Sequence, residues 1–337
     1  MAKRVAAVYR EHLRTLFYDL TILLQRVVLP RSTGRSRENG RIPANPEIAK
    51  GRRPTLGAFT YVHNMIAYDY PFEESVESVI DVVDEFVICE CASTDETPEL
   101  VERLRAKYPT KIKVVHRDWV KHFNDISRVA NFAMSHLTTD YAMQLQADEV
   151  VHENSLSGLL QAVQMLASSK KTGIRVHYTH FMANYETTFP FCYDALVRVV
   201  KMNTPWHIIG DGVQFGYTAH IFPEYKTLDC PEIMYFHYGK VKDPEKGWQK
   251  EWDFQQLYTD IGFPDPKMKE MAQQIGQKVD YVYLFEDHVQ RGTINRFTGT
   301  HPSVMRDRIS RFKAGGFEQF VSRVRENVRI TFPSDGG

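Results

Sequence analysis

Cysteine is scarce: four in 337 residues, at positions 89, 91, 192 and 230. That is too few to staple a chain of this length, so a reducing, cytoplasmic setting is expected rather than a disulfide-built fold. Cys89 and Cys91 have no second pair at zinc spacing behind them and read as two small strand side chains. No uninterrupted apolar run approaches the ~18 residues a bilayer-spanning helix requires, and no apolar stretch with a small-residue cleavage site marks a secretory leader. Excess charge is missing as well, with 42 Lys and Arg against 42 Asp and Glu. No nucleic-acid-binding module is recognisable, so nucleic acid is not the expected partner.

The charge is unevenly spread. Residues 1–53 hold 12 basic against 4 acidic side chains, which leaves 30 against 38 in the remainder. Within that basic end, residues 5–29 place Leu13, Leu16, Phe17, Leu20, Leu23, Leu24, Val27 and Val28 at helical spacing among Arg10, Arg14 and Arg26. Such a stripe suits packing on the domain, a homodimer contact, or a peripheral position on the inner face of a membrane. Residues 31–54 are rich in Arg, Gly, Pro and Asn without an apolar period and read as a linker.

From Thr55 the pattern becomes regular. LGAFTYV, EFVICEC, KIKVVHR and YAMQLQADEVV read as strands; FEESVESVIDVV, TPELVERLRAKY, DISRVANFAMSHL and LSGLLQAVQMLASS read as helices. Four strand-then-helix units in succession predict a mostly parallel sheet flanked by helices. Ligands of such sheets gather beyond the carboxyl ends of the strands. The later half, with strands GIRVHYTHF and ALVRVVKM, the helical EKGWQKEWDFQQLY and a high density of aromatic and histidine residues, is expected to build an acceptor side. The expected units are the basic helix and linker (1–53), a nucleotide-binding half (54–172), an acceptor half (173–310) and a C-terminal helix or tail (311–337).

Asp148 and Glu149 fall at the tip of the fourth strand. Hard carboxylate oxygens there suit Mn or Mg, which such sites hold through one or two carboxylates together with substrate phosphates. Arg117, Lys121, Arg128 and Lys240 are candidates to neutralise a diphosphate. Trp248 and Trp252, four apart, share a helix face that suits either a sugar ring or the core. Tyr178, Tyr185, Phe189 and Tyr193 form an aromatic-rich stretch suited to close over a donor.

FVICECASTDETPEL resembles the V-V-D-x-G-S-T-D-G-T segment of family 2 glycosyltransferases of the GT-A fold, and QADE takes the place of their D-x-D motif. DWVKHFNDISRVANFAMSHLTTDYAMQLQADE, MYFHYGKVKDPEKGWQK and FTGTHPSVMRDRI are similar, in the same order, to segments of that family's lipopolysaccharide-type members, so the likeness runs over roughly residues 55–310. It implies a Rossmann-like GT-A sheet with an N-terminal amphipathic helix and a C-terminal helical extension. It implies an inverting, metal-assisted transfer from a nucleotide-sugar, a UDP-sugar, to a glycan or lipid-linked acceptor in polysaccharide biosynthesis. A nucleic-acid-directed transferase and a non-catalytic sugar-nucleotide or glycan binder are the alternatives.

Carried over position by position, the resemblance puts Glu90 on the uracil or ribose, Asp95 in the loop beside the nucleotide, and His63 and Asn64 along the nucleoside pocket. Asp148 matches the last acid of D-x-D and becomes the leading metal ligand, with Glu149 beside it. His237 matches a histidine that either completes the metal shell or contacts the diphosphate. Gln146 stands where the first acid is usual, a departure that bears on nucleotide contacts and on metal affinity. The family's base follows the D-x-D strand; Asp211, between Gly210 and Gly212, is the nearest carboxylate in PWHIIGDGVQF, and Asp194 is the reserve. A Gly-Asp-Gly segment is also an ordinary turn.

Overall fold

The computed structural model describes residues 52–120, 126–191, 193–217, 224–242, 246, 247, 249, 250, 253 and 286–331, with side chains of the last helix through 326. The basic N-terminal stripe and most of its linker, Lys121, Cys192, Trp248 and Trp252 lie outside the described residues.

The first half alternates as its hydrophobic periods require. Strand β1 (Leu56–Val62) is followed by α1 (Phe72–Glu77), β2 (Glu85–Glu90), α2 (Thr97–Lys107), β3 (Ile112–His116), α3 (Ile126–Ser135) and β4 (Tyr141–Gln144). A short β5 (Glu149–Val151) precedes α4 (Leu156–Ser168). The remainder holds β6 (Gly173–Met182), β7 (Thr187–Thr188), β8 (Ala195–Lys201), β9 (Trp206–Ile209), β10 (Gln214–Tyr217) and β11 (Thr227–Lys240). After the gap come α5 (Glu286–Gln290), β12 (Asn295–Arg296), α6 (Arg306–Arg311) and α7 (Phe317–Thr331).

The central sheet runs β3-β2-β1-β4-β8-β6, with β11 along the far edge of β6 and β5 beyond it. β1 pairs in parallel with both β2 and β4, and β2 with β3. β8 is antiparallel to its neighbours β4 and β6, and β11 returns to the common direction beside β6. The sheet is therefore mainly parallel, and it continues without a break across the expected boundary near residue 172.

Continuous burial explains the strand sequences. Ala58, Phe59, Phe86, Val87 and Ile88 are fully buried because helices cover both faces of a parallel sheet. Helix α3 presents Ile126, Val129, Ala130 and Ala133, spaced three and four apart, to Phe59, Val87 and Cys89. Helix α4 buries Leu159, Ala162, Val163 and Leu166 on the opposite face, with Ile174 and Tyr235. Cys89 and Cys91 are both buried in the α3 layer with their sulfurs 3.7 Å apart; Cys89 is a strand side chain as expected, whereas Cys91 lies just past the end of β2.

Two elements differ from the sequence reading. The helix expected over FEESVESVIDVV stops at Glu77, and Val79, Ile80 and Val83 are buried in turns instead. The run Val-Ile-Asp-Val-Val is rich in β-branched residues that lose rotamer freedom in a helix. Ser78 adds a local tie, since its hydroxyl donates to Ser75 O and accepts from Val151 N. YAMQLQADEVV is also not one strand. β4 ends at Gln144, a turn closes with Glu149 N donating to Gln146 O, and β5 then pairs antiparallel with β11 rather than following β1. The break lifts residues 145–148 out of the sheet and leaves Asp148 at its rim.

Candidate active site

Because β1, β2 and β4 are parallel neighbours, their carboxyl ends share one edge: Val62 lies opposite Glu90, and Leu145 N donates to Phe59 O. The loops that follow are laced together. Asn64 N donates to Ser93 Oγ at 3.0 Å, Thr94 N to Asn64 Oδ1 at 2.7 Å, and Met65 N to Thr97 Oγ1 at 2.8 Å. Asn64 and Ala92 adopt positive φ, 54° and 48°, in these connections, a conformation uncommon for residues with a side chain and concentrated at functional turns. Asp95 caps both loops, its two oxygens accepting from Ala67 N and Thr97 N. Its observed contacts are thus with the main chain.

Glu90 is buried, with Oε1 accepting from Ser93 N at 2.7 Å and Oε2 3.5 Å from His116 Nδ1. His63 donates from Nδ1 to Cys91 O at 2.8 Å, accepts from Asn64 Nδ2 at Nε2, and stacks on Trp119 with ring centroids 4.5 Å apart and planes within 5°. Burial is the leading reason that its pKa is lowered, which keeps the ring neutral. Nothing local in the sequence singles out Trp119, which the fold brings against the ring of His63.

Across the edge, sheet register assembles a second cluster. His237 on β11 lies opposite Glu149 on β5 and beside His180 on β6, and Asp148 O accepts from Tyr238 N at 2.8 Å. Asp148 Oδ2 consequently stands 3.3 Å from His237 Nε2. Burial alone would raise the pKa of Asp148, but the charge and hydrogen bond of His237, assisted by Lys250 and Lys242, outweigh it and hold the carboxyl below the usual range.

The bond directions around His237 follow from valence. His180 Nε2 lies 2.8 Å from Tyr193 O, and a carbonyl only accepts, so this nitrogen carries the proton. His180 is buried among Tyr178, Phe189, Phe191 and Tyr193, and burial, followed by the charge of His237, pushes its pKa down to about 2, so the ring is neutral. Its Nδ1 is then an acceptor, and His237 Nδ1, 2.9 Å away, donates to it. His237 is left with Nε2 aimed at the Asp148 carboxylate, a geometry that is favourable only with a cation or a proton between them. Gly239 keeps that gap open: a Cβ there would lie 2.4 Å from Asp148 Oδ2 and 2.7 Å from His237 Nε2.

Glu149 belongs to a different network. Its carboxylate pairs with Arg198, both side chains being fully buried, and accepts from Tyr178 OH at 2.9 Å and from Gln146 N at 3.0 Å. Arg198 also donates to Gln144 Oε1, Val213 O and Gln146 Oε1. Burial works against its charge, but the Glu149 carboxylate more than compensates and raises its pKa. The structure thus turns Glu149, the first residue of β5, inward, while Asp148 in the preceding turn stands at the rim. Arg198 was a missed residue; its signal was a lone charge in the apolar run ALVRVVKM.

Gln146 links this network to the β9–β10 turn, with Nε2 donating to Tyr61 OH at 3.2 Å and to Gly212 O at 3.3 Å. In that turn Gly210 and Gly212 have φ of 59° and 83°, and Asp211 accepts from Val213 N at 3.3 Å. Tyr61 lies between the carboxylates: its pKa is raised first by burial and then by Asp211 and Asp148. Asp148, Gln146 and Asp211 are therefore grouped, with Glu90, Asn64 and His63 along the same strand edge. Lys240, half-buried at the end of β11, passes beside Met182. Arg128 is on the exposed side of α3, opposite its packed face. Asp194 is 92% exposed and 3.5 Å from Arg175, and no described contact joins it to Asp148. His301 of the HPS segment is structural, its nitrogens bridging Tyr238 OH and Tyr185 O.

The sheet is thus a mainly parallel α/β sheet with acidic and histidine side chains along the carboxyl ends of its strands, the edge at which ligands of such folds gather. Residues 67–196, which include Glu90, Gln146 and Asp148, match the model of the family described as Glycosyl transferase family 2, so this segment of the chain carries that domain. No curated protein matches it. Among solved structures, a mannosyltransferase, PcManGT, from Pyrobaculum calidifontis in complex with GDP-Man and Mn2+ is 12% identical with a TM-score of 0.40, covering 98% of this chain and 91% of its own. Glucosyl-3-phosphoglycerate synthase from Mycobacterium tuberculosis with Mn2+, UDP and phosphoglyceric acid is 16% identical at 0.37, covering 68% and 85%. S. aureus TarS 1-349 with UDP-GlcNAc is 11% identical at 0.37, covering 70% and 81%. These likenesses are distant, and the reading of the site rests on this chain's own residues.

Proposed function

We propose that the protein transfers a sugar from a nucleoside-diphosphate donor, a UDP-sugar, to an acceptor hydroxyl with inversion, assisted by a divalent cation, Mn2+ or Mg2+. The observation that carries this reading is the Asp148–His237 pair, in which an imidazole nitrogen and a carboxylate face each other across a gap that only a glycine leaves open. Among the described residues no group of three such side chains converges. Two protein donors fit a metal whose remaining positions are filled by substrate phosphates and water, as is usual for Mg2+ and its analogues at phosphate sites. When bound, such an ion neutralises charge on the departing diphosphate.

The chain's own residues supply the rest. Glu90 retains Oε2 for the imino N–H of a base such as uracil, while the Asn64 and Ser93 loops hold the nucleoside. Asp211 is assigned as the base that takes the acceptor proton. Gln144 and Gln146 hold its turn through Gly212 O, which orients the carboxylate. Glu149 is assigned to the scaffold that fixes Gln146, and Asp95 to the loop cap. Residues 5–29 are assigned to the surface of a membrane carrying the acceptor, on the strength of their basic apolar stripe.

The test is a thermal-shift panel of UDP-, GDP- and CMP-sugars with and without Mn2+. A ligand that binds only the folded state raises apparent stability by mass action, by about 2.7 kcal/mol at a hundred times its Kd. UDP-sugars are expected to stabilise the protein, and Mn2+ to enhance the effect. The donor assignment fails if no uridine nucleotide shifts the transition, and the metal assignment fails if the shifts are identical in EDTA.

A further inference from the structure

A cavity of about 520 Å³ lies between the loop that follows β1 and the segment containing α6 and α7. Its size falls in the ~300–1,000 Å³ range of ligand pockets. Five cationic side chains line it, Lys246, Arg308, Arg311, Lys313 and Arg323, against one carboxylate, Asp69. Asp69 is already paired with Arg308 at 2.9 Å, and Glu74 holds the same guanidinium. Lys246 Nζ and Arg311 Nε donate to the carbonyls of Ile66 and Asp307, which position both side chains without cancelling their charge. Among the described residues no carboxylate pairs with Lys246, Arg311 or Lys313, so these three leave the wall a positive excess whose field a concave surface concentrates.

The remaining walls are aromatic. Tyr185 and Phe312 meet edge to face at 5.1 Å, and Tyr70 also lines the cavity. The Tyr70 ring also carries Lys242, whose Nζ is 3.7 Å from its centroid, and Lys250 at 5.8 Å. The same two lysines assist His237 in lowering the pKa of Asp148, so the Tyr70 wall and the Asp148 cluster share Lys242 and Lys250. Its cations come from residues 246 and 308–323, none of which is among the residues assigned above to the donor.

We propose that this cavity binds the anionic group of the acceptor, a sugar bearing a phosphate monoester or a carboxylate. Guanidinium and ammonium groups match such an anion through charge-assisted hydrogen bonds, and the aromatic walls offer flat apolar surface to the ring that carries it. The assignment rests on the reading of the chain as a sugar transferase and adds the chemical class of its acceptor.

The test titrates the full chain with glucose 6-phosphate and glucuronate, with glucose as the neutral control, by ligand-observed NMR; UDP is titrated in parallel. Arg311 and Lys313 are exposed, so the double variant Arg311→Ala/Lys313→Ala is expected to melt like the parent. It should bind glucose 6-phosphate about tenfold more weakly, with a shallower salt dependence and an unchanged Kd for UDP. Arg311→Lys alone should retain most of the binding. The proposal is overturned if neither anionic sugar binds better than glucose, or if the double variant leaves glucose 6-phosphate binding intact. It is also overturned if UDP weakens in step, which would make the cavity part of the donor site. Failure of the parent to bind UDP would instead count against the transferase reading, and the sugar-phosphate comparison would still decide the cavity.

Discussion

His180 and His237 meet across adjacent strands with their Nδ1 atoms 2.9 Å apart, and the carbonyl of Tyr193 on the far side of His180 fixes which ring donates. A histidine that holds a cation through one nitrogen needs its other N–H oriented by an acceptor, and losing that acceptor commonly weakens binding 10–100-fold, by about 1.4–2.7 kcal/mol. His180→Phe keeps the aromatic packing and removes the acceptor. It should weaken Mn2+ binding by about that factor in calorimetric titration, with UDP affinity in EDTA unchanged. Equal Mn2+ affinity in parent and variant would remove His180 from the site.

The same histidine gives a pH dependence with a definite sign. Its folded pKa is depressed to about 2 while the unfolded chain titrates near 6.5, so below that pH the unfolded state holds a proton the folded state lacks. Its contribution is fully present above pH ~6.5 and declines as pH falls toward the folded value, at up to about 1.4 kcal/mol per pH unit. Urea denaturation between pH 7 and 5 should show stability falling less steeply in His180→Phe than in the parent. Parallel slopes would mean that His180 is protonated in the fold.

Asp148→Asn tests the transfer chemistry with little change of shape. Loss of the charge is expected to lower kcat/KM at least about a thousandfold, some 4 kcal/mol of transition-state stabilisation, while the melting temperature stays within a few degrees. Turnover near the parent value would refute the assignment.

Gly239→Ala probes the gap itself. The added methyl would stand within 2.7 Å of both Asp148 and His237, closer than carbon approaches oxygen or nitrogen without displacement. Mn2+ binding should be lost or severely weakened in this variant, as read by the manganese EPR signal, with secondary structure retained by circular dichroism. Retained binding would place the ion elsewhere.

Much of this was legible because the first half of the chain is locally consistent. The strands beginning at Leu56 and Glu85 and the helices beginning at Thr97, Ile126 and Leu156 carry unambiguous periods, and the carboxyl ends of parallel strands fix where ligands gather. The break after Gln144 was not legible, since apolar residues resume at Val150 and Val151 beyond Gln146, Asp148 and Glu149, and only the partner strand β11, some eighty residues on, decides that β5 turns toward it. Glu149 and Asp148 look equivalent in sequence for the same reason. One faces the buried Arg198 and the other the rim, because β5 begins at Glu149 and Asp148 stays in the turn before it. His180 carried no local signal at all, because its importance comes from lying opposite His237 in the pairing of β6 with β11.

The Glu149–Arg198 pair yields the last prediction, and its logic is one of desolvation. Both groups are fully exchanged from water into the core, where their mutual attraction and the bonds from Tyr178, Gln144 and Gln146 offset the loss of hydration. Removing one partner strands the other, at a cost of about 3–5 kcal/mol, whereas replacing both with apolar residues of similar volume is often neutral. Arg198→Met and Glu149→Leu should each lower stability by that amount in guanidinium denaturation, and the double variant should recover most of it. The double variant should nevertheless lose activity, because Gln146 would no longer be held by Glu149 and Arg198 as it reaches for Gly212, and the Asp211 turn would lose an anchor. A double variant as active as the parent would show that the network serves the fold alone; one as unstable as the single variants would show that the pair is not the source of their cost.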